Sequence, residues 1–543
     1  MVQAGNTSHY RQYIPEGFVW YKNRYIWQLQ AWILLYLLGN FANGFDGALV
    51  NGLQILPEWQ NYFNHPTGST LGLLGAIQNI GSLGSIPVAP LWNDYFGRRK
   101  TVMLGGAMML TGAALQAGAK NVNWFIGGRA LLGFGGGFNN NADPLMVIEL
   151  CFPSHRAPIA GSYNSIVNIG SIVAAATTFG TYYMAGQWSW RLPLLIQVIP
   201  TSIQWSLIMF GPESPRWLMG KGKETEALRV LAKYHGNGDE HDPLVLYEFE
   251  EIKNAIVQER AQKRFGWTHL FNSKGMRRRS FTMMALAVCG QWSGNSMVSY
   301  YLNQVLNTVG LTDKPSQLGI NVGLSVWNFF CGFTAGFNAD RFGRRRLFLI
   351  SISGMLLMFT CVTICSAQYV QAHSVVAGKL TVLFIFLFTG FYAIGWASVL
   401  LLYVTEIVPF SLRSKGHSLF AITQASMQVF NQYVNPIAFA SIGWKYYIVF
   451  DCFIVCIGLF VYFFVPETKG HTLEETALMF DGPEAVAELQ KQAEEQAAID
   501  RGLDEAHIVQ HDRTKHAELG SSLDDKESVE HREVVDAIQG GRA

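Results

Sequence analysis

The pattern of apolar and polar positions divides the chain into long apolar segments separated by shorter polar loops. A helix that crosses a bilayer needs about 20 apolar residues, and segments of this kind are predicted twelve times. Those of the first half lie near 30–50, 71–92, 101–119, 124–147, 158–183 and 191–211. Those of the second half lie near 281–306, 318–338, 347–368, 380–405, 416–440 and 445–465. The pattern predicts an all-α membrane protein with twelve transmembrane helices.

A basic motif follows the second predicted span of each half. Asp94-Tyr-Phe-Gly-Arg-Arg-Lys100 recurs as Asp340-Arg-Phe-Gly-Arg-Arg-Arg346, 246 residues later. A turn glycine within a cluster of cations, between two apolar segments, is typical of a short cytoplasmic loop. A single basic turn can arise by chance. Two copies at matching places indicate a transporter built from two related six-helix bundles.

The charges of the loops predict the topology and the domains. Every second loop is rich in Arg and Lys, and the loops between them contain only Lys120, Lys314 and Lys379. The positive-inside rule therefore places both termini in the cytoplasm. The predicted domains are a cytosolic segment (1–29), the first six-helix bundle (30–211), a cytosolic helical linker (212–280), the second bundle (281–470) and a polar cytosolic tail (471–543). Amphipathic helices are predicted in the linker over 224–234 and 244–263.

Composition excludes several classes of protein. With 50% hydrophobic and 15% charged residues over 543 positions, the chain is too apolar for one ordinary soluble domain. Its net charge of +1 gives no support for nucleic-acid binding. The seven cysteines show neither metal-ligand spacing nor a disulfide framework. The glycine-rich run 133–137 lies inside a predicted span and lacks the strand–turn–helix context of a phosphate loop. No enzyme, cofactor or metal site is predicted.

Two further pairs of motifs complete the repeat. Glu149 is followed by Arg156 seven residues later, as Glu406 is by Arg413, and Pro212-Glu-Ser-Pro-Arg216 corresponds to Pro466-Glu-Thr-Lys-Gly470. Together these motifs resemble those of the sugar porter family of the major facilitator superfamily over residues 30–475. The resemblance implies that they form ion-pair networks that gate the transporter. The implied gating residues are Asp94, Gly97, Arg98, Arg99, Glu149, Arg156, Glu213, Arg216, Asp340, Gly343, Arg344, Arg345, Glu406, Arg413 and Glu467.

The first predicted span contains a carboxyl group, that of Asp46. An aspartate in the bilayer core costs about 2.5–3.5 kcal/mol on insertion scales, so it should face a cavity or a partner. Arg129 in the fourth span is the candidate partner. One interpretation is a static buried pair, and the other is a proton switch. The chain resembles proton-coupled sugar porters at these two positions, where such porters also have an aspartate and an arginine. This resemblance favours symport over facilitated diffusion.

Sugars are recognised by amides, which donate and accept hydrogen bonds, and by aromatic rings. The stretch Gly290-Gln-Trp-Ser-Gly-Asn295-Ser296 resembles the sugar-binding sequence of the family. Gln291 matches a family glutamine, Ser296 takes the usual asparagine position, and Asn295 lies one residue early. The other candidate substrate-binding residues are Asn328, Asn164, Asn168, Trp396, Gln424 and Gln428. Each amide taken singly fits interhelical hydrogen bonding equally well.

Two features resemble the fungal lactose permease branch of the family: the stretch from Gly290 to Ser296, and the absence from span ten of the family's proline-rich sequence. The resemblance implies a plasma-membrane sugar:proton symporter for a disaccharide, such as lactose or cellobiose, or for a hexose. We expect it to work as a monomer by alternating access, with sugar, proton and the lipid bilayer as its partners. Three alternatives remain: a passive facilitator, a transporter of a non-sugar hydroxylated compound, and a sugar sensor that does not transport.

Overall fold

The computed structural model describes residue 13 and residues 23–262, 266–409, 412–469 and 479–480. All regular secondary structure within these residues is helical. The described residues from 13 to 469 belong to one compact unit. Most of the predicted cytosolic segment 1–29 and nearly all of the predicted tail 471–543 lie outside the described residues.

Helices occupy all six predicted segments of the first half. In chain order they are α1 (Arg24–Ile55), the short α2 (Pro57–Tyr62), α3 (Gly68–Ser85), α4 (Ala89–Phe96), α5 (Arg98–Ala117), α6 (Val122–Leu150), α7 (Pro153–Thr181), α8 (Trp188–Ile196) and α9 (Val198–Ile208). Helices α3 and α4 together fill the second predicted segment, and α8 and α9 the sixth.

Helices also occupy the linker and the second half. The linker contains α10 (Pro215–Gly220), α11 (Glu224–His235), α12 (Pro243–Gln262) and α13 (His269–Asn272). The second half contains α14 (Lys274–Gln291), α15 (Asn295–Thr308), α16 (Lys314–Phe342), α17 (Arg344–Ala372), α18 (Val375–Tyr392), a π-helix (Ala393–Ala397), α19 (Ser398–Ile407), α20 (Arg413–Ile442), a 3₁₀ turn (Gly443–Lys445) and α21 (Tyr446–Phe464).

Several segments predicted as continuous helices are broken. Helices α3 and α4 meet at an angle of 46° around Pro87, which lacks the N–H that would continue the hydrogen-bond ladder. Helix α15 begins after Gly294, whose φ of +86° is left-handed and favours glycine. The tenth predicted span changes to a π-helix at Ala393–Ala397.

Hydropathy identifies fewer membrane-spanning helices than the twelve predicted. By length and composition, four apolar stretches among the described residues qualify, or five if the bent α3–α4 pair counts as one span. The remaining helices carry Asn, Gln, Arg or many glycines, which lower their mean hydropathy. Large apolar side chains such as Leu91, Phe281, Leu357 and Phe463 are exposed on the outside of the helices. An apolar exterior of this kind is suited to lipid.

The two predicted amphipathic linker helices correspond to α11 and α12, and a buried cluster joins them to the first bundle. Glu248 on α12 accepts from Arg156 on α7 at 3.3 Å and contacts His235 on α11 at 2.5 Å. The other ring nitrogen of His235 lies 3.2 Å from the carbonyl oxygen of Leu150, at the end of α6. One carboxylate therefore connects the linker to two helices of the bundle.

Replacing Glu248 tests this connection. In Glu248→Ala, Arg156 and His235 lose their shared acceptor, and we expect the protein to lose about 1–3 kcal/mol of stability, the usual penalty for a stranded polar group. The midpoint of thermal unfolding in detergent measures the change. Glu250→Ala, at an exposed position of the same helix, should leave that midpoint nearly unchanged. Equal midpoints for the two variants would contradict the structural role of Glu248.

Each basic motif turns at a glycine. Gly97 has φ +100° and Gly343 has φ +88°, and each is the residue before a long helix, α5 or α17. A Cβ at Gly343 would lie 2.8 Å from a carboxylate oxygen of Glu467. Alanine at this position therefore meets both an unfavourable backbone conformation and a close contact.

We expect Gly343→Ala to lower the thermal midpoint, by a free energy of about 1–3 kcal/mol. Gly127→Ala in α6 is the matched control, because a Cβ there meets open space and a helical backbone accepts alanine. The control should be neutral or slightly stabilising. An unchanged midpoint for Gly343→Ala would show that the turn has no need for glycine.

Candidate functional site

A cavity lies between the two halves. Helices α1, α3 and α6 line it from the first half, and α15 and α20 from the second. Its polar lining residues are Asn43, Gln54, Gln78, Asn79, Ser82, Arg129, Asn140, Tyr300, Tyr301, Gln428 and Gln432. Most of these side chains are amides or hydroxyls, which both donate and accept hydrogen bonds.

Gln78 on α3 joins Asp46 to Arg129. Its amide N–H donates to the Asp46 carboxylate, and its amide oxygen accepts from Nη2 of Arg129 at 2.5 Å. Asp46 and Arg129 are 1% and 2% exposed. The other Asp46 oxygen and the Nε and Nη1 atoms of Arg129 have no partner among the described residues. The predicted direct contact between acid and arginine is therefore replaced by a bridge through an amide.

Close packing of helices brings Gln78 to this position. A Cβ on Gly133 of α6 would collide with the backbone oxygen of Gln78, so this glycine allows α3 to lie directly against α6. Gln78 is not among the residues predicted from the sequence, although an amide inside an apolar segment is a signal. Neither are Asn79 and Gln432, whose side chains hydrogen-bond across the two halves at 2.6 Å.

Of the predicted substrate-binding residues, Gln428 lines the cavity. Its amide donates to the hydroxyl of Tyr300 at 2.9 Å. The neighbouring Tyr301 donates to the backbone oxygen of Gln432 at 2.6 Å. Two tyrosines of α15 and two glutamines of α20 thus form one wall of the cavity.

Several other predicted residues gather at the break between α14 and α15, beside this wall. Asn431 donates to the hydroxyl of Ser296 at 2.7 Å and to the backbone oxygen of Gln291 at 2.5 Å. Tyr392 on α18 donates its hydroxyl to the backbone oxygen of Gly290 at 3.4 Å. These bonds hold the broken helix to α18 and α20, and the Asn431 amide has the interhelical role that the sequence left open.

Trp396 is buried in the π-helix, and its ring centroid lies 5.2 Å from that of Phe348. A Cβ at Gly290 would lie 3.6 Å from Trp396 and 3.3 Å from Leu400, so Gly290 is a contact between helices. Asn328, Asn168 and Gln424 are half-buried on α16, α7 and α20. The side chain of Asn164 lies outside the described residues.

Hydrogen bonds between the halves close the cavity at the C-terminal end of α1. Asn51 donates to Asn321 of α16 at 3.0 Å, and Asn303 of α15 donates to the backbone oxygen of Gln54 at 2.9 Å. Gln54 in turn donates to the backbone oxygen of Tyr300 at 3.2 Å. The basic motifs lie at the opposite ends of the helices.

The gating residues of the first half form a network around the start of α5. Arg98 pairs with Glu149 at 3.3 Å and with Asp94 at 3.7 Å. Glu213 accepts from the backbone N–H groups of Arg98 and Arg99 at 3.1 and 3.2 Å, which stabilises the positive end of the helix. Burial raises the pKa of Glu213, and its hydrogen bonds to the backbone of Ser214 and Arg99 oppose that rise.

The second half repeats this arrangement at the start of α17. Arg344 pairs with Glu406 at 2.8 Å, and Glu467 accepts from the backbone N–H of Arg344 at 2.8 Å. Ser214 in the first half donates its hydroxyl to Glu149, as Thr468 does to Glu406 at 2.6 Å. Each of these pairs joins elements of one half.

The remaining predicted gating residues lie nearby. Arg99 donates to the backbone oxygen of Gly211 at 2.9 Å and Arg345 to that of Tyr462 at 2.7 Å. Arg156 bonds to Glu248 of the linker. Arg216 is in α10 and Arg413 begins α20. Asp340 is in α16, and its side chain lies outside the described residues.

Known proteins resemble the chain over most of its length. A family model described as "Sugar (and other) transporter" matches residues 32–480. The high-affinity glucose transporter of Kluyveromyces lactis is 28% identical over 489 residues, covering 86% of this chain and 87% of the relative. The MFS-type transporter oryC of Aspergillus oryzae is 29% identical over 442 residues, covering 80% and 81%.

Solved structures share the fold. The inward-open structure of the xylose transporter XylE from E. coli superposes with a TM-score of 0.70 at 23% identity, covering 83% of this chain and 100% of that chain. The proton:xylose symporter XylE bound to 6-bromo-6-deoxy-D-glucose gives 0.65 at 24% identity, covering 83% and 99%. With the family model matching most of its length, the chain belongs to the sugar transporter family of the major facilitator superfamily, whose members are transporters and not enzymes.

Proposed function

We propose that the protein is a sugar:proton symporter of the plasma membrane that carries a hexose, or a disaccharide such as lactose or cellobiose, by alternating access. The observation that carries the proposal is the Asp46–Gln78–Arg129 chain at the wall of an amide-lined cavity between the two halves. The same proposal includes that the protein crosses the membrane twelve times, has both termini in the cytoplasm and functions as a monomer.

The cavity has the chemistry that a sugar requires. Amides from α1 and α3 face amides and tyrosines from α15 and α20 across it. Hydroxyl groups of a sugar both donate and accept, so they can replace the hydrogen bonds that these side chains otherwise make with each other. The rings of Tyr300 and Tyr301 supply apolar surface for the faces of a pyranose. A glucose transporter among the relatives supports a hexose.

Gln78 connects the proton to the sugar. When Asp46 is ionised, the Gln78 N–H donates to it and the Gln78 oxygen is held by Arg129. Protonation removes the negative charge that orients this amide, and the freed Gln78 is itself a cavity residue. Protonation of Asp46 therefore changes how Gln78 is presented to a sugar in the cavity. This linkage is the basis of the proposed coupling.

Alternating access requires bonds that one conformation has and the other lacks. The bonds of Asn51, Gln54 and Asn79 to the second half close one end of the cavity. They join neutral groups, and each contributes only about 0.5–1.5 kcal/mol, so binding of sugar and proton can replace them. The ion pairs at the other end join elements of the same half and keep each bundle rigid while the halves move.

A passive facilitator is the second candidate. The specific observation in its favour is that Gln78 already satisfies one oxygen of Asp46 and one nitrogen of Arg129. A static bridge of this kind would fix α1, α3 and α6 together without moving a proton.

The proton role is tested with Asp46→Asn. In proteoliposomes with an acidic exterior, the wild type should accumulate labelled glucose, lactose or cellobiose, and a protonophore should abolish the accumulation. Asp46→Asn should lose accumulation but retain exchange of sugar, because the cavity amides remain. Asp451→Asn on α21, whose carboxylate bonds to Thr360 and Thr363, should behave as the wild type. Protonophore-insensitive uptake would establish a facilitator, and no uptake of any of the three sugars would favour a different cargo.

The cavity geometry is tested with two glutamines of α20 that lie one turn apart. Gln428 lines the cavity and bonds to Tyr300, whereas Gln424 is not among the lining residues of the described chain. We expect Gln428→Leu to raise the KM for sugar by about three- to tenfold, the equivalent of one lost hydrogen bond. Gln424→Leu should change the KM less than about twofold. The reverse order would place the sugar elsewhere.

A further inference from the structure

The first half contains a second buried carboxyl group, that of Asp143 in α6. It is 1% exposed, and its Oδ1 accepts from the amide of Gln204 on α9 at 3.1 Å. Its Oδ2 has no hydrogen-bond partner among the described residues. None of the ion pairs found within that part of the chain includes Asp143. The proposed coupling at Asp46 leaves this group without a role.

A buried carboxylate without a cation is unfavourable, whereas the neutral acid is tolerated. The neutral form gains an O–H that needs an acceptor. Two tyrosine hydroxyls are nearby: Tyr36 on α1 shares a buried cluster with Ala142, the residue before Asp143, and Tyr163 on α7 packs against that cluster. Both are buried without a hydrogen-bond partner among the described residues. The surroundings of Asp143 therefore suit a group that carries a proton.

Asp143 lies on the face of α6 that also presents Arg129 and Asn140, which precede it by 14 and 3 residues. Asn140 lines the cavity and accepts from Asn43 of α1 at 2.6 Å. One turn beyond that pair, Gly39 of α1 packs on Asp143. A Cβ there would lie 3.0 Å from the carboxyl carbon. Gly39 precedes Asp46 by seven residues, so the two carboxyl groups are about 10 Å apart along the helix.

The polar groups between α1 and α6 continue beyond Asp143 toward the basic motifs. Tyr36 lies in the same buried cluster as Val102, in the first turns of α5, and Leu150, the last residue of α6, beside the network at the start of α5. Pro144 lacks the N–H that would otherwise bond to the carbonyl of Asn140, which leaves an additional acceptor between the cavity and Asp143. An ordered series of polar groups thus leads from the cavity to the gating network.

We propose that Asp143 is a second proton-binding site of the transport cycle, which receives the proton released by Asp46 and passes it toward the face that bears the basic motifs. The inference rests on the proposed proton symport. Asp46 gives up its proton and becomes the carboxylate that Gln78 and Arg129 stabilise. Asp143 is the neutral acid at rest, and it releases its own proton to water on the side of Tyr36 and Glu213. Water in the cavity beside Asn43 and Asn140 carries the proton from Asp46 to the resulting Asp143 carboxylate, which becomes the neutral acid again.

A purely structural role is the alternative, in which Asp143 holds α6 to α9 through Gln204. The two roles separate cleanly in Asp143→Asn, because the asparagine oxygen still accepts from the Gln204 amide but the side chain no longer binds a proton. Asp143→Glu restores the proton-binding group and controls for the fold. Asp451→Asn removes a carboxylate in the second half that lies outside the series.

The experiment measures two rates in proteoliposomes for each variant, with the sugar that the wild type accumulates. One is proton-driven uptake, followed by labelled sugar and by an internal pH dye. The other is sugar counterflow without a pH gradient, which requires a folded, moving transporter but no net proton transfer. For Asp143→Asn we expect proton-driven uptake and proton entry to fall about tenfold or more, a barrier change of about 1.4 kcal/mol. Counterflow should remain within about twofold of the wild type, and Asp143→Glu should recover most of the uptake.

The outcomes distinguish this inference from the proposed function. If the wild type and Asp143→Asn both accumulate sugar at the same rate while Asp46→Asn does not, symport stands and the role of Asp143 is structural. If the wild type itself shows no proton-driven uptake, both proposals are wrong. If Asp143→Asn and Asp143→Glu lose counterflow and uptake together, the side chain serves packing and the relay is rejected. A slow proton-driven rate with normal counterflow supports the relay.

Discussion

The interior of the first half depends on how the charges of Asp46 and Arg129 are compensated. Both groups are buried in a bundle whose exterior is apolar, and an uncompensated charge there would cost several kcal/mol. Gln78 supplies one hydrogen bond to each. The requirement that α1, α3 and α6 meet at this amide explains the small residues beside it, because Gly133 lets the backbone of α3 approach α6. The buried charges are therefore compensated only if α3 and α6 pack closely enough to bring Gln78 between them.

The gating networks show the same principle at the helix ends. In each half a glutamate bonds to the first backbone N–H groups of the helix after the turn glycine, and a second glutamate binds the motif arginine. A turn that begins with glycine has no side chain to cap the helix, so a distant carboxylate replaces the missing cap. These bonds stabilise each half internally, whereas neutral hydrogen bonds join the two halves.

Much of this organisation was predictable because it is encoded in local pattern or in repetition. Apolar segments located the helices, the repeated motifs identified two related halves, and amphipathic spacing located α11 and α12. The contacts made at long range were not predictable. Gln78 is 51 residues from Arg129 in sequence, and nothing in span two alone shows which helix it faces. The break at Gly294 was missed because glycine in an apolar helix serves close packing as often as a turn. Asp143 was overlooked because the family motifs do not include its position.

The two halves divide the chemistry of transport between them. Both carboxyl groups of the proposed proton route, Asp46 and Asp143, belong to the first half, but they are compensated differently. The Asp46 carboxylate is joined to Arg129 through the amide of Gln78, whereas the hydrogen-bond partner of Asp143 among the described residues is the neutral Gln204. The second half supplies Tyr300, Gln428 and Gln432 to the cavity. A ligand that engages those groups must displace the Asn79–Gln432 bond, one residue along α3 from Gln78. Binding at the second half therefore acts on α3, the helix that orients the buried acid of the first half, and the proposed coupling of sugar and proton depends on this helix.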